Sequence, residues 1–382
     1  MALPFHPVSL NAAEPAKLDE VLKPYLAEYG MPAIGAAVVR KGEIVALGVA
    51  GTRRAGADIP VQSGDRWHLG SDGKAFTSLL IAIQVEKGTL KWTSTPGEIF
   101  PELKAKMDPG FAAMTLRQLL SHTTGLASDK DEFWQLLVEA QKVDANLDAA
   151  RFYIVQKTCD KPLDHAPDAQ FAYSNLGYVV AGAMLERVTG RTWEELLQEQ
   201  IFAPLDLKSA GIGPQSSVGK VDAPLGHAEV NGKLQAYLAG PQADNPPSVG
   251  PAGTAHMSLA DFARWASWNA AEGKREPKLV SPETIRLMHT PVIMMDNPNA
   301  APGTPRTGGY GLGWGQLQPE WAGGHKILQH GGSNTKNLAI IYVDTEADTA
   351  IVLVTNISNK KANEGFAKLV AVLYKDYIAS TK

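Results

Sequence analysis

A serine and a lysine one helical turn apart, as in Ser71-Asp72-Gly73-Lys74, can form a nucleophile and the base that activates it, the pairing that acyl transfer requires. Spacing alone is a weak signal. The same pattern recurs at Ser217 with Lys220, Ser333 with Lys336 and Ser358 with Lys361, so context must separate them. After Ser71 the run Ala75 to Lys87 has no proline, is apolar on nearly every side and stops at Gly88, which predicts a buried helix with a glycine terminator. The short Trp67-His68-Leu69-Gly70 stretch upstream puts Ser71 in the first turn, where unpaired backbone N–H groups favour negative charge. Lys74 falls on the same face, and burial beside an apolar core would lower its pKa toward that of a usable base. By contrast, Ser217 lies in a Gly/Pro/Ser-rich stretch, Ser333 follows two glycines in a strand-like run, and Ser358 sits in a polar loop.

Two further constellations stand downstream. Tyr173-Ser174-Asn175 is the only Tyr-x-Asn in the chain and precedes Leu176-Gly177-Tyr178-Val179-Val180-Ala181-Gly182. Near the C-terminus, His330-Gly331-Gly332 leads into Ser333 on a predicted strand. Singly, each has a structural use: Ser71 as a helix N-cap, Lys74 as a solvated first-turn lysine, Tyr173 as a core tyrosine, Asn175 as a turn residue. Together and in this order they favour chemistry. His122, beside Ser121, does not make a Ser-His pair, because adjacent side chains point apart. A structural role in the Thr123-Thr124-Gly125 turn is expected of it.

In these motifs the chain resembles the superfamily of serine beta-lactamases and penicillin-binding proteins, in particular class C beta-lactamases and their relatives among family VIII carboxylesterases, D-aminopeptidases and D-alanyl-D-alanine carboxypeptidases. The third motif of that superfamily is usually Lys-Thr-Gly, which is absent; His330-Gly331-Gly332 stands in its place, as in some of the D-peptidases. Leu119-Leu120-Ser121-His122-Thr123-Thr124-Gly125-Leu126, Pro251-Ala252-Gly253 and Tyr310-Gly311-Leu312-Gly313-Trp314 extend the resemblance over nearly the whole chain.

The resemblance implies that Ser71 attacks the substrate carbonyl, Lys74 and Tyr173 move the proton, and Asn175 orients substrate and lysine. It places the oxyanion donors at the backbone N–H groups of Ser71 and Ser333, each such donor being worth ~10²- to 10³-fold in rate, on a substrate-binding strand that carries His330, Gly331 and Gly332. An imidazole at position 330 is largely neutral at pH 7, unlike lysine, which disfavours substrates that need a permanent cation for their carboxylate. Small esters and D-amino acid amides or peptides are the expected substrates, with weak beta-lactam hydrolysis. Two alternatives stand beside this: a true class C-like beta-lactamase, and a non-catalytic protein that is acylated as a sensor or serves structurally.

Other chemistries lack their motifs. There is no Gly-x-Ser-x-Gly, no His-Glu-x-x-His among the nine histidines, no phosphate-binding glycine loop, and a single cysteine, Cys159, with nothing nearby to activate it. No cofactor and no metal are expected. The net charge of −4 without a basic stripe argues against nucleic acid, the apolar runs are shorter than a membrane span, and 44% apolar content predicts a folded body. Met1 to Lys17 lacks a basic stretch followed by an apolar core, so no signal peptide is read in the chain as given. That leaves a bacterial cytoplasmic location, or a periplasmic or secreted one after removal of a leader.

The elements that must position these residues follow from periodicity. Leu18 to Tyr29 reads as an amphipathic helix, and Ala33 to Arg40 and Glu43 to Val49 as strands joined at Lys41-Gly42. Ile327 to His330, Leu338 to Val343 and Thr349 to Thr355 read as strands, with a turn at Asp344 to Ala347 and a last helix from about Ala362 to Ile378. Between them lie helices, including Trp193 to Gln200 and one capped by Ser258 with Asp261 three residues on. The expected fold is α/β (α+β): one domain over 1–382, an antiparallel sheet from both chain ends flanked by helices (1–70 and about 290–382), and a mainly helical subdomain (about 71–289). The site is expected in the cleft between these parts, rimmed by the loops Pro241 to Gly253 and Asn297 to Gly309.

Overall fold

The structure is a computed structural model that describes residues 14–126, 131–143, 146–297 and 300–381. Most of the segment read for a leader, and Pro298 and Asn299 of the second expected rim loop, lie outside the described residues.

A nine-stranded sheet organises the chain. In chain order its strands are β1 (Ala16–Lys17), β2 (Ala33–Arg40), β3 (Glu43–Gly51), β4 (Ile293–Asp296), β5 (Thr307–Tyr310), β6 (Gly315–Leu317), β7 (Ile327–Ser333), β8 (Leu338–Asp344) and β9 (Thr349–Thr355). Across the sheet they run β1-β3-β2-β9-β8-β7-β6-β5-β4, antiparallel throughout except for the two-residue β1–β3 pairing. Strands from both ends of the sequence therefore meet at β2–β9, where Ile34 faces Thr355 and the Asn356 side chain accepts from Ala33 N at 2.8 Å. The sheet closes as expected from the chain ends.

Both faces of the central strands are covered, so they read as continuous apolar runs. On β8, Ala339, Ile341 and Val343 join the core on one side, while Leu338, Ile340 and Tyr342 join the core on the other. The second core is closed by helices α1 (Asp19–Tyr29) and, at the end of the chain, Lys360–Tyr377, whose inward stripe carries Phe366, Leu369, Val370 and Leu373. The first core holds α2 (Lys74–Glu86), α3 (Asn175–Thr189) and α4 (Leu259–Ala270), and the terminal helix is accordingly α5.

Helix α2 buries every residue from Lys74 to Gln84, which is why its sequence is apolar all round. Ser174 caps α3 through Gly177 N, and Gly190 in the left-handed conformation ends it. A tilted Phe76–Trp265 pair, centroids 4.5 Å apart, locks α2 to α4. A large aromatic buries about 200 Å², worth ~5 kcal/mol of apolar transfer. The chain between β3 and β4 is mostly helical.

Three strands on the far side of the sheet were not anticipated. Of these, β5 takes in Thr307 to Gly309, the end of the expected rim loop, while β4 and β6 lie in stretches to which no element was assigned. With Gly308 and Gly309 in a four-residue strand there is no side-chain alternation to read. Pro241 to Gly253 is likewise not a rim loop: its last residues form a 3₁₀ turn, Pro247–Val249, and a helical turn, Gly250–Gly253, all buried against α3 except Pro247. Gly182 on α3 makes room for it, since a Cβ there would lie 2.4 Å from Pro251 Cγ.

Candidate active site

Ser71 lies in a single 3₁₀ turn, Gly70–Gly73, that runs directly into α2, with Lys74 as the first residue of that helix. The Lys74 side chain is fully buried and bends back, so that Nζ donates to Ser71 Oγ at 3.0 Å, to Asn175 Oδ1 at 2.7 Å and to the Ala252 carbonyl at 2.7 Å. From the opposite side Tyr173 OH donates to Ser71 Oγ at 2.7 Å. Four residues from two distant stretches of sequence thus form one hydrogen-bonded cluster. Lys74 Nζ also stands 4.8 Å from the Tyr173 ring centre and 5.2 Å from that of Tyr178, within range of a cation–π attraction.

The Ala252 carbonyl explains the Pro251-Ala252-Gly253 motif. Pro251 O accepts from Thr77 Oγ1 at 2.7 Å, and Trp193 Nε1 donates to the same hydroxyl at 2.9 Å, which pins this segment to α2 next to the lysine. At Gly253, φ is +145° and a Cβ would lie 2.3 Å from Gly70 O. Only glycine fits there.

Strand β7 passes equally close on the other side. A Cβ on Gly332 would lie 1.8 Å from Leu69 O and 2.8 Å from Ser71 N, and one on Gly70 would lie 2.2 Å from Ser333 N. The peptide units that carry Ser71 N–H and Ser333 N–H are therefore held side by side by backbone contact. β6 pairs with β7 only at Ile327 to Gln329, which leaves the edge from His330 to Ser333 open on that side.

His330 lines the cleft beside the cluster, yet its ring is held within the protein. It is 4% exposed; its Nε2 is 2.9 Å from Tyr310 OH and its Nδ1 is 3.0 Å from Gly331 O. A carbonyl can only accept, so Nδ1 carries the proton and Nε2 accepts from the tyrosine. Burial, reinforced by the positive charge of Lys74, pushes the imidazole pKa down to about 3. The ring is neutral and both its nitrogens are engaged within the protein. Asp72, between Ser71 and Lys74 in sequence, lies beneath with Oδ1 3.5 Å from His330 Nδ1. Its side chain is 1% exposed, neither oxygen has a hydrogen-bond partner, and burial drives its pKa well above the ordinary carboxyl value against the opposing pull of Lys74.

His122 has the turn role expected of it, as the left-handed residue that ends Leu116–Ser121, and a second one. Its ring packs on that of Tyr173 at a tilt of 33°, with centroids 4.3 Å apart, and Nδ1 accepts from Ser174 N at 3.1 Å. Burial, with the charge of Lys74, holds it neutral. Sequence reasoning missed Asp72, the Tyr310 hydroxyl and this ring contact, because no spacing rule marks them. The one available clue was a charged residue at the start of a run that is otherwise buried. Of the other serines with a lysine three residues on, Ser333 and Ser358 bond each other at 2.8 Å and Ser217 bonds Asp222. Cys159 is buried, which raises its thiol pKa.

A cleft of about 860 Å³ opens beside the cluster at Tyr173 and is walled by Phe171, Tyr310, Arg306 and Glu364 among others. Of the two expected rim loops, the second does line it, through Asn297, Ala300 and Pro305. Among the described residues there is no group of histidine, cysteine and carboxylate side chains that could hold a metal ion, and no helix is long and apolar enough to cross a membrane.

The Beta-lactamase family model matches residues 18–374. Among curated proteins, "Penicillin-binding protein 4" of Amycolatopsis lactamdurans is 26% identical over 270 residues, which cover 68% of this chain and 64% of that protein; the chain thus spans a little under two thirds of that relative. Among solved structures, D-amino acid amidase from Ochrobactrum anthropi SV3, complexed with L-phenylalanine amide, superposes with a TM-score of 0.70 at 20% identity, covering 94% of this chain and 98% of that one. EstCE1, described as a hydrolase with promiscuous acyltransferase activity, superposes with a TM-score of 0.73 at 19% identity, covering 92% and 96%. At these identities the two structures share the fold.

Proposed function

The chain belongs to the Beta-lactamase family, and from that premise we propose that it hydrolyses esters and amides lacking a carboxylate near the scissile bond, through an acyl-enzyme on Ser71. The observation that carries this is the position of Ser71 Oγ between Lys74 Nζ and Tyr173 OH, at 3.0 and 2.7 Å. Ser71 Oγ bonds to the substrate carbonyl carbon while its proton passes to the Lys74–Tyr173 unit. Charge builds on the carbonyl oxygen, where the N–H groups of Ser71 and Ser333 receive it. Collapse breaks the bond to the alcohol or amine, and Tyr173 supplies the proton the leaving group needs. Water then attacks the acyl carbon, gives its proton to the same unit, and Ser71 is released. Asn175 holds the lysine in line.

The substrate class follows from His330. A neutral ring with both nitrogens engaged offers a substrate carboxylate neither charge nor a free N–H. Beta-lactams and peptides with a C-terminal carboxylate lose that anchor, whereas simple esters and amino acid amides do not need it. The mainly helical stretch, about 71–289, and the sheet-forming stretches, 1–70 and about 290–382, act in this reading as two walls of one catalytic unit.

Steady-state turnover of a short-chain p-nitrophenyl ester, a D-amino acid amide and a chromogenic cephalosporin should rank the cephalosporin last, and Ser71→Ala should remove all three activities. Full turnover by Ser71→Ala would refute the mechanism. A burst of one product equivalent with no steady rate would instead make the protein an acylated sensor.

A further inference from the structure

Three buried side chains outside the reacting cluster converge on its two ends. His68, 1% exposed, accepts from Gly70 N at Nδ1 over 3.0 Å. That bond requires an unprotonated Nδ1, so the ring proton sits on Nε2, which lies 2.8 Å from Asp244 Oδ1 in a close polar contact that is not aligned as a hydrogen bond. The same carboxylate oxygen accepts from Asn334 Nδ2 at 3.1 Å and from Asn245 N at 2.7 Å, and Asn334 is itself 1% exposed. Gly70 immediately precedes Ser71, and Asn334 immediately follows Ser333.

We propose that His68 and Asp244 are positioning residues that set the spacing of the two oxyanion-binding peptides, one at Ser71 and the other at Ser333. The inference rests on the reading of those two N–H groups as the oxyanion donors. Gly70 has φ +51°, a left-handed conformation, so the direction of the Gly70–Ser71 peptide depends on what its N–H bonds to. His68 supplies that acceptor, and its other nitrogen is braced by Asp244. Through Asn334, Asp244 also fixes where β7 ends, again with a residue of positive φ, Thr335, next in line. Sharing one carboxylate oxygen couples the two donor peptides more tightly than their backbone contact alone. The arrangement costs the burial of a carboxylate whose side chain is 4% exposed.

Because His68, Asn334 and Asn245 all meet Oδ1, Asp244→Asn with its amide oxygen in that place keeps the links, whereas Asp244→Ala removes them. The test measures kcat, KM and the affinity of a boronic acid, whose tetrahedral adduct on Ser71 puts an oxygen where the oxyanion forms. Asp244→Ala should lower kcat and boronate affinity together by about ten- to a hundredfold, less than the loss of a donor outright, with KM within about threefold. Asp244→Asn should stay within about threefold of wild type in all three. If Asp244→Ala fails to fold, Asn334→Asp, which turns the donor into a repelling oxygen and leaves the acceptor side of Asn334 intact, should show the same paired loss. Unchanged kcat and boronate affinity in a folded Asp244→Ala or Asn334→Asp, or a loss in KM alone, overturns the proposal. A wild-type protein that binds no boronate, or binds it equally after Ser71→Ala, fails earlier, by removing the oxyanion reading itself.

Discussion

Asp72 is the residue whose chemistry is least comfortable. Its carboxyl is cut off from water without a hydrogen-bond partner, and burial outweighs the attraction of Lys74, so the folded protein holds it protonated to well above the ordinary carboxyl value. The unfolded chain releases that proton above the ordinary aspartate value of about 3.9. Folding must therefore take up a proton at neutral pH, and the penalty grows as pH rises from the unfolded value toward the folded one. Asp72→Asn, a neutral isostere, should raise the thermal midpoint at pH 8 and lose that advantage as pH falls toward 4; equal midpoints at pH 8 would mean the acid is ionised in the fold. Ser71, Lys74, Tyr173 and Asn175 were legible in the sequence because each sits in a spaced motif with a helix beside it. Asp72 occupies a position that the motif leaves undefined, and its burial arises only when β7 and Tyr310 pack over it.

At the scale of elements, the decisive contact is β7 against the turn that carries Ser71. Gly331 and Gly332 are neighbours with opposite demands. A Cβ on Gly331 meets only Ile340 Cγ1, at 4.0 Å, while one on Gly332 would collide with the Leu69 carbonyl, and backbone cannot step aside as a side chain would. Gly332→Ala should cost at least ~10²-fold in kcat/KM, since displacements of about 1 Å have that effect, and Gly331→Ala should stay within about threefold; similar losses in both would remove the steric argument. The strands flanking this contact were readable from apolar runs long enough to show a period. β4 to β6 were not, being only three or four residues each, with glycine in β5 and β6, and the turn at Pro251 was misjudged because Pro and Gly signal a loop without saying that it is buried.

For the molecule as a whole, acid is the weak point. His122, His227, His256, His289 and His330 are all buried with pKa values pushed below the ordinary range, His256 to about 4 and His330 to about 3. Each stays neutral in the fold but takes up a proton below about 6.5 when unfolded. The stability it contributes is thus intact above that pH and is lost as pH falls toward the folded value, at up to about 1.4 kcal/mol per pH unit for each histidine. Asp72 and Glu186, the latter raised to about 7 by burial, act in the opposite direction over part of the same range but are outnumbered. The thermal midpoint should fall steadily from pH 6.5 to 4.5; a flat midpoint would show that these histidines are charged in the fold. The pairing of β2 with β9 also sets a timetable. At about 5–20 residues per second of synthesis, β2 leaves the ribosome roughly 15–60 s before its partner exists, with an apolar edge open throughout. A nascent chain halted between residues 174 and 327 already contains serine, lysine and phenol, yet lacks both the strand that completes their site and the one that closes the sheet. Such fragments are inert and adhesive, clients for a chaperone rather than small enzymes.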